Sequence, residues 1–174
     1  MQGPLKRPAG DLMKRINIGC GTVQMDGYLN VDLHNEDADL IADAHALPFE
    51  DESIDEIYSS HLLEHFAGSL QNPEVLTVLQ EWFRVMVPGG IIKVEVPNLE
   101  WCLRNWLEQS EEDRWRFPLD TIFGMETHDG EYHKTGFDAR HLKCFLRRAG
   151  FVNIVITDVW SHDQQCLLGE AVKP

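Results

Sequence analysis

The sequence predicts an α/β domain with a largely parallel sheet, and three observations carry that expectation. Short apolar strands alternate with stretches of helical periodicity along most of the 174 residues. A Gly-Cys-Gly turn, Gly19 to Gly21, follows the first strand. An acidic residue, Asp32, closes the second. Strand, glycine turn, strand and terminal acid is the layout of a nucleotide-binding βαβ unit. Only ten residues separate Gly21 from Asp32, too few for a full helix with its loops, so the first helix is expected to be cut to a short connection, "TVQMDGY".

The elements follow in order. "RINIG", "YLNVDL", "ADLIADA", "IDEIYSSH" and "GGIIKVEVPN" read as five strands, the last after a Pro-Gly-Gly turn. Between the last two, Leu62, Leu63 and Phe66, then Val75, Leu79 and Phe83, recur at helical spacing. "FDARHLKCFLRRAGF" reads as a helix with Asp138 near its start and Gly150 as its stop. "VNIVITDVW" and "QCLLGEAVK" supply two closing strands. Residues 99–136 break the rhythm, with Trp101, Trp106, Trp115 and then "FGMETHDGEYHKTGF". An insertion after the fifth strand lies beyond the carboxyl ends of the strands, where open α/β sheets bind ligands, so it is expected to wall or cover the site. The whole chain reads as a single domain, with residues 1–13 a loose lead.

A chain that is 43% hydrophobic has enough apolar material for one core. Fifteen Lys and Arg against 29 Asp and Glu give a net charge of −14, which argues against a nucleic-acid partner. No apolar run reaches the roughly 20 residues that cross a bilayer, so no membrane partner is expected. Cys20, Cys102, Cys144 and Cys166 are scattered without CxxC spacing and read as reduced thiols of a cytoplasmic protein.

The motifs "NIGCG", "GYLNVDLH", "ADAHALPFEDESIDEIYSSHLLEHF", "EWFRVMVPGG" and "HKTGF", in that order, resemble the class I S-adenosylmethionine-dependent methyltransferases. More narrowly they resemble a small branch linked to glycan and small-molecule tailoring. The resemblance spans roughly Arg15 to Lys173. It implies a Rossmann-like fold, a seven-stranded mostly parallel sheet with helices on both faces, and S-adenosylmethionine as cofactor. Gly19, Cys20 and Gly21 would line its methionine and ribose. Asp32, with Leu33 beside it, would hold the ribose hydroxyls. Asp43 and the Ala44 backbone would read the adenine, and Ser60 and His61 would face the amino-acid end. Two departures stand out: Asn17 occupies a position that is commonly acidic, and Tyr28 is expected to cover part of the opened pocket. Gln24 stands where a dinucleotide fingerprint has its third glycine, which counts against a pyrophosphate.

Transfer to a hydroxyl benefits from a general base, and two histidines are candidates. His133 comes in the polar end of the insertion with His128, Asp129, Glu131 and Tyr132; His61 follows the fourth strand. The implied activity is methyl transfer to oxygen or nitrogen of a small molecule or sugar. A non-catalytic binder of cofactor or partner is the competing reading, favoured by the clipped helix and Asn17. "HLLEH", His61 to His65, matches the H-x-x-E-H pattern of inverted zinc peptidases, with Glu64 as base. Its position at a strand-to-helix junction speaks against that, and no resident metal is expected. Glu64 and His65 beside a divalent ion is the weaker variant. Oligomeric state is not legible in the sequence.

Overall fold

The computed structural model describes residues 13–114, 120–124 and 131–174. The expected lead therefore falls almost wholly outside the described residues, as do Trp115, His128 and Asp129. Seven strands form one sheet: β1 (Arg15–Ile18), β2 (Leu29–Asp32), β3 (Leu40–Ile41), β4 (Ile54–Ser60), β5 (Met86–Pro97), β6 (Val152–Ser161) and β7 (Gln164–Val172). Their spatial order is β3-β2-β1-β4-β5-β7-β6. The first five run parallel, and the β6–β7 hairpin lies antiparallel along β5. The hairpin turns at His162 and Asp163, both at positive φ (50° and 58°), as a two-residue turn matched to strand twist requires.

One face of the sheet carries the core. Ile16, Ile18, Val31, Ile57, Ile92 and Val94 project toward helices α1 (Glu74–Val85) and α5 (Ala139–Ala149). On α1 the buried positions are Val75, Val78, Leu79, Trp82 and Val85, and on α5 they are Leu142, Phe145, Leu146 and Ala149. Both sets recur at three- and four-residue steps, a single apolar stripe facing the sheet. Each buried Leu or Phe contributes roughly 2 kcal/mol. The helix ends are satisfied locally. Asp138 caps α5 by accepting from His141 N, and Gly150 closes it at φ 109°. Lys173 is buried at the carboxyl end of α1, its ammonium donating to the Phe83 and Met86 carbonyls at 3.0 and 2.8 Å.

The opposite face departs from expectation. The connections 19–28 and 33–39, which supply the second helical layer in a doubly wound fold, contain no helix. Strands of four and two residues are short enough for loops to span. α1 and α5 share one face, and over β1 to β3 the connections 19–28 and 33–39 lay no helix on the other. The uncovered face is polar. Glu56 sits at its centre, accepting from Tyr28 Oη at 2.7 Å and Lys93 Nζ at 2.9 Å, with Arg15 Nε at 3.5 Å. A charged ladder tolerates water where an apolar one would need a helix. Tyr28 is thus fixed near the amino end of the sheet, away from the cofactor position that the sequence assigns it to cover.

Two boundaries also differ. β5 begins at Met86, before the Pro-Gly-Gly sequence: Ile54 pairs with Met86 and Glu56 with Ile91, so the extra residues bulge from the strand instead of preceding it. The apolar positions from Leu62 to Phe83 divide into a single 3₁₀ turn (Leu63–His65) and α1. The insertion after β5 holds α2 (Leu99–Glu108), α3 (Glu111–Arg114) and α4 (Asp120–Phe123). Asn98 caps α2, and Trp101 meets Trp160 of β6 edge-on with ring centroids 5.6 Å apart.

Candidate functional site

The carboxyl ends of β1, β2 and β4 bring the expected cofactor residues together. Gly19 N and Cys20 N both donate to Val31 O, at 2.8 and 3.2 Å, folding the turn back over β2. Gly19 has φ 70°, and a Cβ there would lie 2.7 Å from Leu62 Cδ2. The room over Gly19 belongs to Leu62, so that glycine serves packing and not ligand approach. Gly21 is the open one, with φ 49° and nothing within 4 Å of a built Cβ. Cys20 is buried, and burial with the nearby Asp32 pushes its thiol pKa up. Only its backbone can meet a ligand.

Asp32 accepts from Gly21 N at 2.9 Å, His34 N at 2.8 Å and Asn35 N at 3.0 Å. Burial works to raise its pKa, but those three donors outweigh it and hold the carboxyl below its usual value. A carboxylate offers about four acceptor positions, so one remains for a ribose hydroxyl, not the two bonds expected. Asn35 Nδ2 also donates to Gly21 O, tying the loops together. Leu33 next door is half exposed.

Asp43 receives His45 N at 2.8 Å and the His45 ring at 2.9 Å, both on Oδ1. These bonds lower its pKa, and Oδ2 stays available. The Ala44 carbonyl accepts from Trp82 Nε1 at 3.1 Å, which pins the turn beside Asp43. Asn17 is buried beneath the turn, its amide donating to Val23 O and Asn30 Oδ1. With Gly21 open, Asp43 half free and Asp32 holding one position, the residues fit an adenosine-bearing cofactor.

The two candidate histidines lie beyond the ends of β4 and β5. His61 takes φ 52° and donates its N–H to Glu95 O at 3.0 Å. Its Nδ1 lies 3.3 Å from Glu64 Oε1, and its Nε2 lies 3.5 Å from Cys166 Sγ and 3.9 Å from Glu95 Oε1. The His162 ring stands 4.3 Å away. His61 is therefore outside any helix, and His61 and His65 share no helical face; the inverted zinc-peptidase arrangement is absent. Glu64 is 2% exposed, and its carbonyl accepts from Lys134 N and Thr135 N, which draws the end of the insertion onto the tip of β4. His133 follows: its N–H donates to Phe123 O at 3.0 Å and its ring meets His65 edge-on at 5.0 Å. Burial pushes the His133 pKa down, favouring the neutral ring. A small pocket opens here between Glu64, Pro97, Leu99, Thr121, His133 and Gly136.

The structure thus brings His61 and His133 to either side of Glu64, although 71 residues separate them in sequence. Glu95, His162 and Cys166 are not legible as site residues in the sequence, because strand alternation and a hairpin turn account fully for their spacing.

The parallel sheet closed by an antiparallel β6–β7 hairpin is the fold of solved class I S-adenosylmethionine-dependent methyltransferases. Residues 16–94 match the profile of a family described as a methyltransferase domain. S-adenosylmethionine is the cofactor of that fold and domain. The human protein named "Probable tRNA methyltransferase 9B" is 27% identical over 143 residues, covering 71% of this chain and 30% of its own. The chain thus spans under a third of that curated relative. A methyltransferase of Thermotoga maritima superposes with a TM-score of 0.62 at 16% identity, over 95% of this chain and 84% of that one. Phosphoethanolamine N-methyltransferase 2 of Haemonchus contortus, in complex with S-adenosylhomocysteine, gives 0.58 at 15% identity, over 99% and 50%. Among the described residues no helix is long and apolar enough to cross a membrane.

Proposed function

We propose that this chain transfers a methyl group from S-adenosylmethionine to oxygen or nitrogen of a small molecule or sugar. The observation that supports the reading is a sheet edge that carries Gly21, Asp32 and Asp43 at the ends of β1 to β3, together with a small pocket lined by Glu64 and His133 after β4 and β5. When bound, the cofactor supplies a methyl group on a sulfonium sulfur. Asp43 and the Ala44 N–H read its adenine edge, and Asp32 holds a ribose hydroxyl. The backbone of Cys20, Gly21, Ser60 and His61 surrounds the methionine end. His61 and His133 flank the acceptor, and one of these imidazoles takes the proton as an acceptor hydroxyl becomes an ether. Pro97, Leu99 and Gly136 give the pocket an apolar wall that favours a compact acceptor.

A net charge of −14 weighs against a polyanionic acceptor, despite the name of the human relative. Calorimetric titration with S-adenosylmethionine and S-adenosylhomocysteine tests the cofactor assignment. Micromolar affinity is expected, reduced at least tenfold in Asp43→Ala, whose carboxylate bonds only to His45 among the described residues. Failure of the wild-type chain to bind either compound would sink the enzyme reading and favour the non-catalytic one. Methyl transfer is then assayed on sugars, phenols, amines and tRNA. Turnover on tRNA alone would overturn the choice of acceptor.

A further inference from the structure

We propose that Glu64, His65 and His133 form a site for a first-row transition-metal dication such as zinc. The Glu64 side chain is 2% exposed, yet among the described residues neither carboxylate oxygen accepts a hydrogen bond, although His61 Nδ1 lies 3.3 Å from Oε1. His65 Nδ1 is likewise buried without one. Buried carboxylates and ring nitrogens are ordinarily satisfied, and an orphaned set pointing at one spot signals a missing ligand. The three side chains offer one donor atom each within 4.8 Å of one another. Ligands about 2.1 Å from one ion stand roughly 3–3.5 Å apart, a spread that small ring rotations reach.

The frame around the three donors is fixed from both sides. Glu64 and His65 share the 3₁₀ turn after β4. Bonds from Lys134 N and Thr135 N to Glu64 O, and from His133 N to Phe123 O, hold the third ligand opposite them. Two imidazoles and one carboxylate suit zinc or iron(II) and disfavour magnesium or calcium, which prefer all-oxygen shells. Three protein ligands leave a coordination position open. Two of the three donors, Glu64 and His133, also line the pocket walled by Pro97, Leu99 and Gly136. His61 is not a ligand in this set; its Nδ1 approaches Glu64 from outside at 3.3 Å. Resting on the methyl-transfer reading, the consequence is a division of labour: the ion holds and acidifies an acceptor hydroxyl, His133 is a ligand, and His61 takes the proton.

The test uses the full chain without cofactor, titrated with cobalt(II) and followed by its visible absorption, and with zinc by equilibrium dialysis. One equivalent is expected to bind. Glu64→Gln and His133→Ala should each weaken binding at least tenfold, while His61→Ala and the distant His141→Ala keep the one equivalent. Glu64→Gln retains the backbone carbonyl that anchors residues 134 and 135, so circular dichroism of that variant should match wild type. Absence of stoichiometric binding, or wild-type affinity in Glu64→Gln and His133→Ala, would overturn the site. Affinity for S-adenosylmethionine is measured on the same samples. An ion bound without cofactor affinity faults the methyl-transfer reading and leaves the site standing; cofactor affinity without an ion does the reverse.

Discussion

Trp82→Phe is the perturbation whose cost follows most directly from the structure. Trp82 is fully buried on α1, and its Nε1 donates to the Ala44 carbonyl at 3.1 Å. Replacement by Phe removes the donor and leaves that carbonyl unsatisfied, at about 1–3 kcal/mol. It also empties roughly 40 Å³ of packed space, which at about 24 cal/mol per Å³ adds about 1 kcal/mol. The sum is about 3 kcal/mol. Unfolding entropy of roughly 2.1 cal/mol/K per residue, over 174 residues, converts this to a fall in Tm of about 8 °C. Differential scanning calorimetry measures it, and urea melts should shift in midpoint without a change of slope. Because the lost bond anchors the turn that holds Asp43, cofactor affinity should fall as well. A Tm loss under about 2 °C would refute the reasoning, since it would mean that the indole bond and its packing are both dispensable.

Glu56→Gln probes the polar sheet face. Burial works to raise the Glu56 pKa, but hydrogen bonds from Tyr28 and Lys93 and the charge of Arg15 outweigh it and lower the value from 4.5. A lowered folded pKa contributes stability that is fully present above the unfolded value and lost as pH falls through the folded one. The wild type should therefore exceed Glu56→Gln by about 1–2 kcal/mol near neutrality. That gap should close in thermal melts taken at progressively acid pH; a gap independent of pH would show that the carboxylate charge is immaterial. Gly150→Ala places a side chain at φ 109° with its Cβ 3.0 Å from the Phe83 ring. It should cost at least about 1 kcal/mol in urea unfolding, and a neutral result would contradict the left-handed stop of α5.

Much of the fold is local and therefore legible in the sequence. The α5 boundaries follow from Asp138 and Gly150, because capping acts on neighbouring residues. The loss of the first helix follows from the count between Gly21 and Asp32, because a helix needs length. The cofactor side is legible for a similar reason: in a parallel sheet, residues at strand ends share one edge whatever the packing. That rule places both Asp32 and Asp43. Their remaining bonding capacity is another matter, since the backbone donors of residues 21, 34 and 35 converge on Asp32 only after the turns fold.

The second face of the sheet shows the limit from another side. Alternation along β4 and β5 says that Glu56, Lys93 and Glu95 share a face, but not whether a helix covers it. That depends on connection lengths together with the pairing that brings Tyr28 and Arg15 to Glu56. The sequence alone determined the succession of strands and set Asp32 and His61 at or just past strand ends. Only the tertiary structure decided that Glu64 lies buried, turned toward His65 and His133, because that contact arises when residues 131–136 fold back onto the tip of β4. No periodicity in either segment encodes their meeting.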